Sequence, residues 1–187
     1  MSVVLSSPTA IILDEEPLSL LTMRRGHPKA VTCKAWYAAL EGAGHRFYVP
    51  EIADYELRRE LIRSGKTASL ARLDAFNAAE PDRYLALTTV EVQEAARLWA
   101  QARNQNRGGA PPEALDGDCL IAAQARLIVP DNPFMEVIVA TSNLILPRFI
   151  VQAVKQLAAS VLGDRVDPFL IGNAAPRTAE CSRIARD

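Results

Sequence analysis

Near the N-terminus, Ala10-Ile11-Ile12-Leu13 is apolar at every position, and the run stops abruptly at the acidic string Asp14-Glu15-Glu16. A strand with one face in water would alternate apolar and polar side chains. This run has no polar face, so the reading is a strand covered on both sides, the usual state of a parallel strand under helices. Glu136-Val-Ile-Val-Ala140 repeats the pattern far along the chain and passes into Thr141-Ser142-Asn143. Between the two, the apolar spacing switches repeatedly to the helical period. Strands alternating with helices predict an α/β fold with a mainly parallel sheet.

The intervening segments fill in that frame. Residues 29–41 carry a helix-period pattern closed by Gly42-Ala43-Gly44, and Phe47-Tyr48-Val49 reads as a second strand. Pro50 opens a helix that ends near Gly65, residues 67–79 give another, and Tyr84–Leu87 is a short strand or a connection. Thr88 with Glu91 three positions on has the form of a capping box for a helix reaching about Arg103. Asn104 to Gly117, rich in Gly and Pro, reads as a loop, and a small-residue helix is expected from Asp118. A helix is expected over 150–162, followed by a tail without a firm period. The domain boundary therefore falls near residue 150, with 1–150 as the folded domain and 151–187 as a C-terminal helix and tail.

Charge excludes little by its sum. There are 21 Lys and Arg against 22 Asp and Glu, so the whole chain carries no broad positive field. Within the bases, 17 are Arg and 4 are Lys, a bias toward the planar fork that suits phosphate and buried ion pairs. Cys33, Cys119 and Cys181 are few and widely spaced, which with no secretory signal reads as reduced thiols in the cytoplasm. No apolar run approaches the roughly 18 residues of a membrane span.

In an open parallel sheet, residues at the C-terminal ends of the strands converge on one crevice. Asp14 follows the first strand, Asn143 the last, and Asp118 begins a helix suited to packing on the sheet. Glu56, on the helix entered after strand 47–49, reaches the same edge. Carboxylates gathered there repel unless a cation balances them, and hard oxygen ligands select Mg²⁺ or Mn²⁺. Such a site suits hydrolysis of phosphodiesters. Each residue also has a structural reading: Asp118 as a helix cap, Asn143 as a turn residue, Glu56 as the partner of Arg59 or Arg63. Asp14 resists one, because an acid directly after four buried apolar residues needs a partner or a metal.

The order of strand and Asp14, then VPEIADYELRREL with Glu56, LDGDCLIAAQA with Asp118, and VIVATSN with Asn143 resembles the PIN domain, the fold of VapC-type toxin ribonucleases. The resemblance spans about residues 10–150. It implies a three-layer α/β/α sandwich and a metal-dependent endoribonuclease acting on RNA, a homodimer, and a small antitoxin as partner. It also assigns Asp14, Glu56 and Asp118 to the acidic metal positions, Asn143 to the fourth catalytic position and Thr141 to the small hydroxyl residue that precedes it. Asp116 is the alternative if the helix is entered earlier. Glu15 and Glu16 depart from the family pattern, adding carboxylates beside Asp14 that either supply a ligand or overload the pocket. A second reading follows from that departure: a nucleic-acid-binding or regulatory module with weakened catalysis.

Other motifs fall away. Ser64-Gly65-Lys66-Thr67 resembles the end of a phosphate loop, but the motif requires Gly where Glu60 stands. His27 and His45 have no Cys at ligand spacing, which leaves no zinc site, and no G-x-S-x-G elbow is present. Arg58, Arg59, Arg63, Lys66 and Arg72 fall on the Glu56 helix and the next one, either as contacts to an RNA backbone or as a face of ion pairs.

Overall fold

The computed structural model describes residues 9–24, 26–104, 112–128 and 136–141. They form four strands and six helices in strict sequence: β1 (Thr9–Leu13), α1 (Glu15–Thr22), α2 (Pro28–Gly42), β2 (Arg46–Pro50), α3 (Glu51–Arg63), α4 (Thr67–Asn77), β3 (Tyr84–Leu85), α5 (Thr89–Asn104), α6 (Pro112–Leu127) and β4 (Glu136–Ala140). The sheet order is β3-β2-β1-β4 and every neighbouring pair is parallel.

Each step from one strand to the next along the chain is a crossover carried by a helix pair, α1–α2, α3–α4 and α5–α6. β1 shows why both faces are apolar. Ala10 and Ile12 point with Tyr48 into a core closed by Ala95, Leu98, Cys119, Ile121 and Ala122 of α5 and α6. Ile11 and Leu13 point the other way with Phe47 and Val49, into a core closed by Leu18, Cys33, Ala53, Leu57 and Leu73 of α1 to α4. Two helical layers thus enclose one sheet, the three-layer α/β/α arrangement. Small side chains at Ala122, Ala123 and Ala125 let α6 lie close to the strands.

One segment to which the sequence assigns no element is a helix, and one expectation about local structure changes. Glu15 and Glu16 form the first turn of α1, with Asp14 as its N-cap. Acids are favoured there because they face the unpaired amides and the positive end of the helix dipole. The stretch 112–117, expected as loop, is the first part of α6, which starts at Pro112. Pro suits the first position of a helix, and the run after it contains good helix formers, so the turn-like composition misplaces the boundary. Asp118 consequently lies inside the helix and is not its cap. The capping box of α5 is present: Thr88 N and Oγ1 donate to Glu91 Oε2 at 2.7 and 2.8 Å, and Glu91 N donates to Thr88 Oγ1 at 3.3 Å. The expected helix at 150–162, the tail and Cys181 lie outside the described residues. No helix among those described is long and apolar enough to cross a membrane.

Candidate active site

The strand order places β1 beside both β2 and β4, so the chain leaves β1 toward one side and returns to its other side only at β4. Such a reversal opens a crevice at the C-terminal ends of the strands. Asp14 stands at that point. Its backbone N donates to Ala140 O at 3.0 Å, extending the β1–β4 pairing by one residue. Its side chain is held from two directions: Oδ1 accepts from Glu15 N at 2.7 Å, and Oδ2 accepts from the hydroxyl of Thr141, itself buried at the end of β4.

Glu56 arrives from α3, which begins directly after β2 because Pro50 starts the helix without a loop. Its row is half-buried, one step round from Ala53 and Leu57 in the core. The carboxylate lies against Gly117 of α6, where a Cβ would stand 2.8 Å from Glu56 Oε1. Burial raises the Glu56 carboxyl above its ordinary range, Arg59 opposes this, and Asp14 adds to the rise. Glu15 is raised as well, by burial first and then by Asp14, Glu56 and Glu16, again with Arg59 opposing. Asp14, Glu15 and Glu56 therefore share one field of mutually repelling carboxylates, opposed by one nearby guanidinium.

Asp118 and Asp116 flank Gly117 and diverge around the helix. Asp116 shares a face with Cys119 and Leu120 and, with Ala95, Ala96 and Trp99 of α5, lines a shallow hollow between the two helices. Asp118 shares its row with Ala122 and Ala125, which pack toward the sheet, and is half-buried. The helical spacing thus turns Asp118 toward the sheet edge and Asp116 toward α5. Both acids act on Cys119, whose thiol is pushed up to about 11, by burial first and then by Asp118 and Asp116. Asn143 lies outside the described residues. Among those described, no three His, Cys, Asp or Glu side chains already converge at metal-ligand spacing.

The basic residues separate sharply. Arg58 is not available to a ligand: its Nε and Nη2 hold both oxygens of Asp54 at 2.7 and 3.0 Å, and Nη2 also donates to Asp74 at 2.7 Å. Arg63 pairs with Glu60. Arg72 donates to Thr22 O at 2.7 Å, closing the end of α1. These three serve the scaffold because each finds an acid or an orphan carbonyl within reach. Arg59 differs, lying 5.5 Å over the ring of Tyr55 and close enough to influence Glu15 and Glu56.

Sequence reasoning overlooked two residues here. Gly117 looked like loop punctuation, yet a glycine inside a helix costs about 1 kcal/mol against alanine and asks for a packing reason. Asp54 is a buried carboxylate, 4% exposed, that binds Arg58 and accepts from Asn77 Nδ2 at 2.7 Å. Its signal was the i, i+4 spacing to Arg58 on a helix whose inner row it joins.

A model of the PIN domain family matches residues 11–128, more than half of the chain, from within β1 through the end of α6. No curated protein matches, and neither does any solved structure.

Proposed function

The chain belongs to the PIN domain family, whose members are generally nucleases, and we propose that it is a metal-dependent endoribonuclease of the VapC type, hydrolysing phosphodiester bonds of single-stranded or structured RNA. The observation that carries this reading is that Asp14, at the sheet's reversal point, and Glu56, from the next crossover, lie within electrostatic reach of each other, with Gly117 of α6 leaving room for the Glu56 carboxylate.

The donor chemistry fits a hard divalent cation. Asp14, Glu56 and Asp118 offer only oxygen, and the carboxyls of Glu56 and of the adjoining Glu15 are raised by burial first and then by acidic neighbours. Mg²⁺ or Mn²⁺, when bound, supplies an activated water and neutralises charge developing on the phosphate. Asp14, fixed by Thr141 and the α1 amide, provides a rigid ligand position. Glu56 is set by the gap at Gly117, and Asp118 enters from the inner row of α6. Asn143, outside the described residues, is assigned by the family resemblance to position the ion or its water, and Arg59 would receive the substrate phosphate.

We extend the same reading to a cytoplasmic homodimer neutralised by a small antitoxin, encoded beside it. The direct test is incubation of the purified protein with labelled single-stranded RNA in Mn²⁺ and in chelator. Cleavage in metal alone supports the proposal; cleavage that ignores the chelator refutes it.

A second reading has its own observation. Glu15 adds a carboxylate beside Asp14, and it is raised by burial first and then by Asp14 and Glu56. This excess of acid favours a nucleic-acid-binding module with weakened catalysis. Calorimetric titration with Mn²⁺ separates the two, since absence of binding at millimolar metal selects the module.

A further inference from the structure

The outer side of α3 carries a row that shares only Arg59 with the acidic site. Tyr55, Arg59 and Ile62 stand at i, i+4 and i+7, so they share one face, and Tyr55 and Ile62 are 55% and 62% exposed. One face of the Tyr55 ring is covered by the Arg59 guanidinium at 5.5 Å, and much of the ring remains open to solvent. Tyr55 adjoins Glu56 in sequence, and Arg59 lies within electrostatic reach of both Glu56 and Glu15. The row therefore starts at the rim of the carboxylate site and runs away from it along the helix.

An exposed aromatic ring paired with a cation matches a ligand that is flat and negatively charged. Single-stranded nucleic acid has both properties, because its bases can expose a flat face and each is joined through its ribose to a charged phosphate. Bases within a duplex offer no free face. Arg58 and Arg63, on the same helix, are tied to Asp54, Asp74 and Glu60, so Arg59 is the guanidinium of this group placed at the aromatic ring.

We propose that Tyr55 and Arg59 form a stacking platform for one base of single-stranded RNA, with Arg59 holding the adjoining phosphate at the entrance to the carboxylate site. The platform makes the enzyme select unpaired strands, and it rests on the nuclease reading for the identity of the strand.

Binding without turnover tests it separately from that reading. In an Asp118→Asn background with Mg²⁺, anisotropy of a labelled single-stranded RNA is compared with that of its duplex. Tyr55→Ala is expected to weaken single-strand binding about 10-fold, while Tyr55→Phe retains it and duplex binding and melting temperature stay unchanged. Equal affinity of the Ala variant, or equal loss in single strand and duplex, overturns the platform. So does a shift from dimer to monomer on sedimentation of Tyr55→Ala, which would make the row a contact between copies. If this assay shows the single-strand preference while the wild type cuts no RNA in Mn²⁺, the platform stands and the nuclease reading falls.

Discussion

Gly117 on α6 and Glu56 on α3 approach so closely that a methyl group at position 117 would stand 2.8 Å from Glu56 Oε1 and 3.4 Å from its Cδ. The obstructed atoms are the end of a flexible side chain, so the fold can yield by moving the carboxylate. That motion is what a metal ligand cannot tolerate, since ligand positions must be held to a few tenths of an ångström.

Gly117→Ala therefore separates stability from function. Alanine improves helix propensity by about 1 kcal/mol, which offsets the cost of displacing one carboxylate. The melting temperature is expected to stay level or rise slightly, while Mn²⁺ affinity falls about 10-fold. Calorimetric titration with thermal melting of the same samples checks this; unchanged metal affinity would contradict the assigned role of Glu56.

Glu15 and Glu56 are both raised by the fold, so the folded state binds their protons more tightly than the unfolded chain does. The resulting penalty is complete above the raised values and fades as pH falls through them toward the ordinary 4.5. Metal-free protein should accordingly gain stability on mild acidification from neutral pH, and Glu56→Gln should melt higher than the wild type at pH 7. With Mn²⁺ present the order reverses, because the wild type gains stability from the ion and protons compete with it. Melting curves at several pH values, with and without metal, measure both signs.

Arg58 and Arg59 are neighbours with opposite expected phenotypes. Arg58→Ala strips the bidentate partner from buried Asp54 and leaves that carboxylate with Asn77 alone, a loss of about 3 kcal/mol. Arg59→Ala leaves the melting temperature within a degree or two and weakens RNA binding with a reduced dependence on salt. Urea unfolding and salt-series anisotropy distinguish them.

Thr141→Val keeps the volume at the end of β4 and removes the hydroxyl that donates to Asp14 Oδ2. A hydrogen bond to a charged group contributes about 1.5–3 kcal/mol, so a measurable loss of stability is expected together with weaker metal binding. Thr141→Ser restores both in the same melting and titration experiments.

The strands were legible in the sequence because β1 and β4 lack a polar face, and that absence leaves a parallel, doubly covered strand as the simplest outcome. The Thr88–Glu91 cap was equally readable, being a local chemical pattern. Boundaries governed by competing signals were not. Pro and Gly around 108–117 argued for a loop, whereas the helix from Pro112 tolerates Gly117 because α3 presses Glu56 against it. Likewise Glu15 and Glu16 looked like excess acid until α1 gave them a helix N-terminus to occupy.

Among the site residues, Asp14, Glu56 and Asp118 were legible from their places at the strand ends and on the flanking helices, Asp14 most clearly because it alone resisted a structural reading, and Thr141 depended on the family resemblance. The Arg cluster could not be divided by inspection. Arg58 is held by Asp54 one helical turn away, but its second acid, Asp74, lies sixteen residues off on α4, and Arg72 is held at the end of α1, fifty residues away; neither of these longer distances leaves a trace in local spacing.

Cleavage of single-stranded RNA by the wild type and by Asp118→Asn, in Mn²⁺ and in chelator, tests the central claim most directly, with circular dichroism to verify folding. The account predicts metal-dependent cutting by the wild type and a loss of at least about 100-fold in a variant that remains folded. Equal cleavage by the two proteins would contradict it.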